Sequence, residues 1–171
     1  MPILHLLRHA KSSARKGIED FERPLTRRGL EAARRIGSSL AARERRLDLV
    51  LCSPARRTRQ TMEGVLAAFG GKPRFLCESE LYLADCERLL DRLCRLGEGE
   101  ESVLLIAHNP GLRDLALLLA EASSPSFAAL LSGKFPTAAS ASFRVETAWP
   151  DLGSRRHPLL VYETPKSLGR P

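Results

Sequence analysis

Three short stretches of the 171-residue chain collect residue types that can handle phosphate: Arg8-His9, Ser53-Pro54-Ala55-Arg56-Arg57 and His108-Asn109-Pro110. A neutral imidazole nitrogen is a competent nucleophile near pH 7, and arginine offers a planar donor fork that matches phosphate oxygens. A single His9 or His108 would more often be a structural histidine than a catalyst. Two histidines and several arginines together suit phosphoryl transfer, where charge on three equatorial oxygens must be met by donors already in place.

Each stretch directly follows an apolar run. Ile3 to Leu7, Asp48 to Cys52 and Val103 to Ala107 are short and continuous, the pattern of strands buried on both faces of a parallel sheet. Ligands collect outside the carboxyl ends of such strands, so the three stretches should meet on one rim. Between the strands the spacing turns helical. Thr26 is placed to cap a helix carrying Leu30, Ala33, Ile36, Gly37 and Leu40 and ending near Arg46. Ser53 as N-cap and Pro54 at the first position would open a second helix running to about Phe69. Gly70-Gly71 breaks it, Pro73 to Cys77 reads as a weaker strand, and Asp85 to Leu96 has helical spacing. A further helix follows Gly111 to about Glu121. Strand and helix alternate for 120 residues, which predicts an α/β fold, a three-layer sandwich on a mostly parallel central sheet. Ser140 to Thr147 and Pro158 to Glu163 alternate like strands that extend the sheet at an edge, with Trp149 as an edge-strand anchor.

The length fits one domain over residues 1–171. Every apolar stretch is interrupted before the ~20 residues of a membrane span, and the N-terminus carries its charge after its apolar run, the reverse of a secretory leader. A cytoplasmic location with no membrane partner is expected. Cys52, Cys77, Cys86 and Cys94 match no zinc or CxxC spacing and are assigned to packing, so no metal and no cofactor is implied. The net charge of +7 is uneven: residues 1–60 hold 15 Lys/Arg against 6 Asp/Glu, and the rest 12 against 14. That asymmetry suggests an anionic partner, although Arg27, Arg28, Arg34, Arg35, Arg43, Arg45 and Arg46 also fit a solvated helix face. A nucleic-acid-binding module would interleave aromatics with its basic residues, and none lies between Arg27 and Arg46. Nucleic acid is not an expected partner.

Leu6-Leu7-Arg8-His9-Ala10-Lys11-Ser12 resembles the Arg-His-Gly signature of the histidine phosphatase superfamily, in the Arg-His-Ala variant of small SixA-type phosphohistidine phosphatases. Arg23-Pro24-Leu25-Thr26 with Gly29, Ser53 to Thr61, and Ala107-His108-Asn109-Pro110-Gly111 continue the match in order, over roughly residues 3–115. The resemblance implies a phosphoglycerate mutase-like fold. It also implies His9 as the nucleophile that becomes phosphohistidine, Arg8 and Arg57 as phosphate-binding arginines, and His108 as the second histidine that hydrogen-bonds the transferring group. Arg56 should point elsewhere. Lys11, Ser12 and Arg23 are placed either as further donors at the mouth or as ordinary loop and cap residues.

Relatives that cleave phosphate esters set a Glu or Asp beside the nucleophile, and no motif fixes one here. Glu80 and Asp85 are candidates by position, as much as plain surface carboxylates. An alkoxide demands a proton donor on leaving, whereas imidazole, with a free pKa of ~6.5, leaves easily. A site without a strong acid therefore suits a P–N bond, and phosphohistidine on a protein is the expected substrate, ahead of a small-molecule phosphate ester.

Overall fold

In the computed structural model, which describes residues 1–169, the expected alternation folds into one six-stranded sheet. The strands are β1 (Ile3–Arg8), β2 (Leu49–Cys52), β3 (Arg74–Cys77), β4 (Ser102–Ala107), β5 (Ser140–Arg144) and β6 (Leu159–Glu163), in spatial order β3-β2-β4-β1-β5-β6. The pairs β2/β3, β2/β4 and β1/β4 are parallel, while β1/β5 and β5/β6 are antiparallel. The sheet is thus mostly parallel, and its last two strands extend it beyond β1 as the alternating C-terminal pattern predicts.

Alternation along the central strands divides the core into two layers. Leu4 and Leu6, Leu49 and Leu51, and Val103 and Leu105 face one side, and pack with Leu89, Leu93, Leu112, Leu115 and Leu119 from the helices α3 (Cys86–Cys94) and α4 (Gly111–Leu119). Leu7, Val50, Leu104 and Ile106 face the other, against Ile36 and Leu40 of α1 (Arg27–Arg43) and Met62 and Val65 of α2 (Arg56–Leu66). Burial on both faces is why these strands are continuous apolar runs. Gly37 lets α1 and α2 cross closely, since a Cβ there would lie 2.6 Å from the Val65 carbonyl oxygen.

Several local readings change. Leu30 lies 38% exposed, the buried stripe of α1 running through Gly29, Ala32, Ala33, Ile36, Gly37 and Leu40 instead. Helix α2 starts at Arg56 with Ala55 as N-cap and no capping side chain, so neither Ser53 nor Pro54 opens it. Trp149 is not on a strand. It begins a 3-10 segment, Trp149–Ser154, with its ring buried in the α3 layer and its indole N–H donating to the Glu100 carbonyl at 3.0 Å. Cys77 is exposed on the edge strand β3, so packing accounts for buried Cys52 but not for Cys77. Helix α5 (Phe127–Ser132) forms in the Ala/Ser-rich stretch, where no periodic signal announces it. Among the described residues no helix is long and apolar enough to cross a membrane.

Candidate active site

The carboxyl ends of β1, β2 and β4 come together, as the strand order requires, and bring His9, Ser53 and His108 onto one rim. A cavity of about 200 Å³ there is lined by Arg8, His9, Lys11, Ser12, Arg23, Arg57, Leu83, His108, Asn109 and Thr137. All seven residues singled out from the sequence as catalytic or substrate-binding line it.

The rim is built by backbone. His9 N–H donates to the Ala107 carbonyl (3.2 Å), and Ala138 N–H donates to the carbonyls of Arg8 (3.2 Å) and His9 (3.1 Å). Ala10 N–H donates to Thr61 Oγ1 (3.0 Å), which itself donates to the Arg57 carbonyl (2.6 Å), so the loop after β1 and the first turns of α2 are tied together. Thr26 caps α1 as expected, accepting from Gly29 N–H at 3.0 Å. Its backbone N–H and hydroxyl both donate to the Lys11 carbonyl, at 2.8 and 3.2 Å.

His9 is buried with its Nδ1 2.8 Å from the Ala10 carbonyl oxygen. A carbonyl only accepts, so Nδ1 carries the proton and Nε2 holds the lone pair. His108 stands beside it, ring centroids 5.3 Å apart. Its Nε2 is 2.6 Å from Ser53 Oγ and its Nδ1 3.4 Å from an Arg57 terminal nitrogen. A guanidinium only donates, so His108 Nδ1 accepts from Arg57 and Nε2–H donates to the Ser53 hydroxyl, which could equally serve the other neutral tautomer if Arg57 turned to a bound anion. Burial, followed by the charges of His9 and Arg57, pushes the His108 pKa down to about 3. Burial pushes His9 to about 4, with Arg57, Arg8 and Arg23 acting in the same direction and the Ala10 hydrogen bond opposing. Both rings are neutral at pH 7, the state a nucleophile needs.

Arg57 is 3% exposed and Arg56 points to solvent. The Arg57 guanidinium donates to the Asp20 backbone carbonyl (2.6 Å) and to Asp20 Oδ2 (3.0 Å). Arg23 donates to Asp20 Oδ1 (3.0 Å), Ser12 Oγ (2.8 Å) and the Ser13 carbonyl (2.7 Å). Arg8 donates to the Phe135 carbonyl at 3.1 Å, and the Nε atoms of Arg8 and Arg57 are buried without a protein partner. The cavity is therefore rich in donors and holds its cations close together, an arrangement suited to a bound oxyanion.

The histidine phosphatase superfamily (branch 1) matches this chain over residues 4–81. An uncharacterized protein of Mycobacterium tuberculosis is 35% identical over 162 residues, covering 94% of this chain and all of that protein. A SixA protein from Agrobacterium tumefaciens superposes with a TM-score of 0.80 at 32% identity, over 95% of this chain and 97% of that one. The protein histidine phosphatase SixA complexed with tungstate superposes with a TM-score of 0.78 at 26% identity, over 97% and 99%. The chain belongs to the histidine phosphatase superfamily.

Within this histidine phosphatase the two candidate acids are engaged elsewhere. Glu80 accepts from Arg95 at 2.6 Å, and Arg95 holds its carboxyl below the usual range. Asp85 is the N-cap of α3, accepting from Arg88 N–H at 2.9 Å. Neither lines the cavity, because partners on α3 and at its C-terminal end hold both. The sequence reading missed Asp20, Tyr82, Leu83 and Ser53's contact with His108. Asp20 accepts from the Tyr82 hydroxyl at 2.5 Å, and that bond, with those from Arg57 and Arg23, holds its carboxyl well below the usual carboxylate range. Leu83 stands half exposed at the mouth with φ 51°, a left-handed backbone that costs a leucine energy. No periodicity or spacing marks these loop residues.

Depressed histidine pKa values couple stability to pH. His5, with its Nδ1 2.8 Å from Ser142 Oγ, is also pushed down, to about 3, by burial and then by Arg43. Unfolded, each of the three histidines binds a proton near pH 6.5; folded, none does until pH 3–4. The unfolded state therefore binds more protons across this window, and stability is full above about pH 6.5 and falls as pH drops. At pH 5 each histidine should cost on the order of 1–2 kcal/mol. Urea midpoints measured from pH 7.5 to 5 should fall steadily, and His5→Gln should flatten the slope. A flat profile in the parent protein would contradict neutral burial.

Proposed function

We propose that this protein hydrolyses phosphohistidine on a protein, through a phosphohistidine of its own at His9. His9 Nε2 attacks phosphorus while the bond to the substrate imidazole breaks, and the electron pair leaves with that imidazole. Water then attacks the phosphoryl group, releasing inorganic phosphate and restoring the His9 lone pair. Arg8, Arg57 and His108 meet the equatorial oxygens. Lys11, Ser12 and Arg23 add donors at the mouth. With an anion bound, the Ser53 hydroxyl can donate to His108 Nε2, so that His108 Nδ1–H faces the phosphoryl group beside the Arg57 guanidinium.

One observation carries the choice of substrate. The carboxylate that reaches the arginines of the cavity, Asp20, is held ionised by Tyr82, Arg57 and Arg23. A carboxylate stabilised in that form is a poor proton donor, and an alkoxide leaving group would need a good one. Departing imidazole does not. The binding of tungstate, a tetrahedral oxyanion, by the related SixA protein supports an oxyanion pocket of this kind.

The leaving group provides the test. Phosphohistidine should turn over at least ~10²-fold faster than an alkyl phosphate, and rates on aryl phosphates should fall steeply as the phenol becomes more basic. Glu80→Gln and Asp85→Asn should change phosphohistidine turnover by less than about tenfold, since general acid catalysis is worth 10²–10⁴ where it operates. A flat dependence on leaving-group pKa would reveal a working acid and move the substrate to small-molecule phosphate esters.

A further inference from the structure

Beside the phosphoryl cavity lies a second hollow of about 280 Å³, whose lining includes Lys11, Arg28, Thr137, Thr164 and Lys166. Lys11 and Thr137 line both spaces, so the two are adjacent. The charged side chains of the second hollow are three cations, and no carboxylate lines it. Among the described residues none of the three is ion-paired, although Arg27 next door pairs with Glu31 at 3.1 Å and Arg43 pairs with Glu163 at 2.6 Å.

The three cations come from separate elements held in fixed relation. The first turn of α1, which carries Arg28, is seated on the Lys11 backbone through Thr26, so closely that a Cβ on Gly29 would lie 2.1 Å from the Lys11 carbonyl oxygen. The turn that carries Lys166 is closed by Thr164 N–H to Ser167 Oγ (2.8 Å) and Ser167 N–H to Thr164 Oγ1 (3.1 Å). Arg35 of α1 donates to the Pro165 carbonyl at 3.3 Å, and Leu168 packs into the α1/α2 core layer. The placement of Arg28 also runs against the helix dipole. The first turn of α1 holds Arg27 and Arg28 and no acid, where the partial positive charge of the helix end disfavours cations. Such a cluster repels itself, and a bound anion would relieve that repulsion.

We propose that this hollow is a carboxylate subsite, which takes an Asp or Glu side chain flanking the phosphorylated histidine of a protein substrate. The proposal rests on the reading that phosphohistidine is the group cleaved. Its three cations are exposed beside the phosphoryl cavity, open to a residue that neighbours the phosphohistidine of a bound chain. Ala32, Pro136 and Pro165 give it apolar wall for the methylenes of such a side chain.

Two phosphohistidine peptides of equal length, one flanked by Glu and the other by Gln, test it. For the parent protein at low salt the Glu peptide should have a KM about fivefold lower, with kcat unchanged, in keeping with one or two exposed ion pairs. The advantage should fade as ionic strength rises to 0.5 M, where the Debye length is below ~5 Å. Arg28→Ser combined with Lys166→Ser should abolish it while turnover of free phosphohistidine stays within twofold, because neither residue lines the phosphoryl cavity. Affinity of both peptides for His9→Ala reads the subsite without turnover, and equal Kd values there would overturn the proposal. If free phosphohistidine is not cleaved by the parent protein, the reading of function fails instead. A preference for 3-phosphoglycerate over glycerol 3-phosphate that the double variant loses, with no preference between peptides, would give the carboxylate to a small molecule and overturn the protein substrate.

Discussion

Acid-labile, base-stable label on His9 is the expected result when the protein is quenched during its first turnover of a ³²P-labelled phosphoryl donor. The neutral ring, its Nδ1 proton fixed on the Ala10 carbonyl, leaves Nε2 free to bond phosphorus. His9→Ala should therefore lose at least ~10³-fold in turnover, about 4 kcal/mol of transition-state stabilisation. The trapping experiment discriminates because a rival nucleophile is present. Ser53 Oγ lies 2.6 Å from His108 Nε2, a distance at which the Nδ1–H tautomer of that histidine could take a hydroxyl proton. A phosphoserine there would be acid-stable and base-labile. Label with that stability, or substantial turnover by His9→Ala, would transfer the role to Ser53 and reduce His9 to a neighbour of it.

The second large effect separates two adjacent arginines. Successive residues of a helix point ~100° apart, so only one of Arg56 and Arg57 can face the rim. Arg57 is the buried one, between Asp20 and His108. Arg57→Ala should cost at least ~100-fold in turnover, about 2.7 kcal/mol, by removing a charged donor from the transferring oxygens. Arg56→Ala should cost less than about tenfold. Equal losses at both positions would mean that the arginines act through the general field of the rim, not by contact with the transferring group.

Local chemistry controls the parts of this protein that can be read along the chain. The apolar runs of β1, β2 and β4 specify strands buried on both faces, the Thr26 cap and its spacing specify α1, and parallel topology then forces Arg8, His9 and His108 to one rim. Helical rotation lets only one of Arg56 and Arg57 face the rim, but it does not say which; the resemblance pointed to Arg57, and the structure buries that one. Which partner a short polar side chain takes, by contrast, depends on how the elements pack. Ser53 carries the local signature of a helix cap, yet its hydroxyl goes to His108, 55 residues away, since the chain stays non-helical until Arg56 and β4 delivers the imidazole within 2.6 Å. Glu80 and Asp85 precede α3 in the same region as Tyr82, but Arg95 at the end of α3 holds the first and the Arg88 N–H in its first turn holds the second, leaving Asp20 to meet Tyr82 across 62 residues. Such pairings depend on which strands are adjacent and where loops between them fall, and no period of 2.0 or 3.6 residues encodes that.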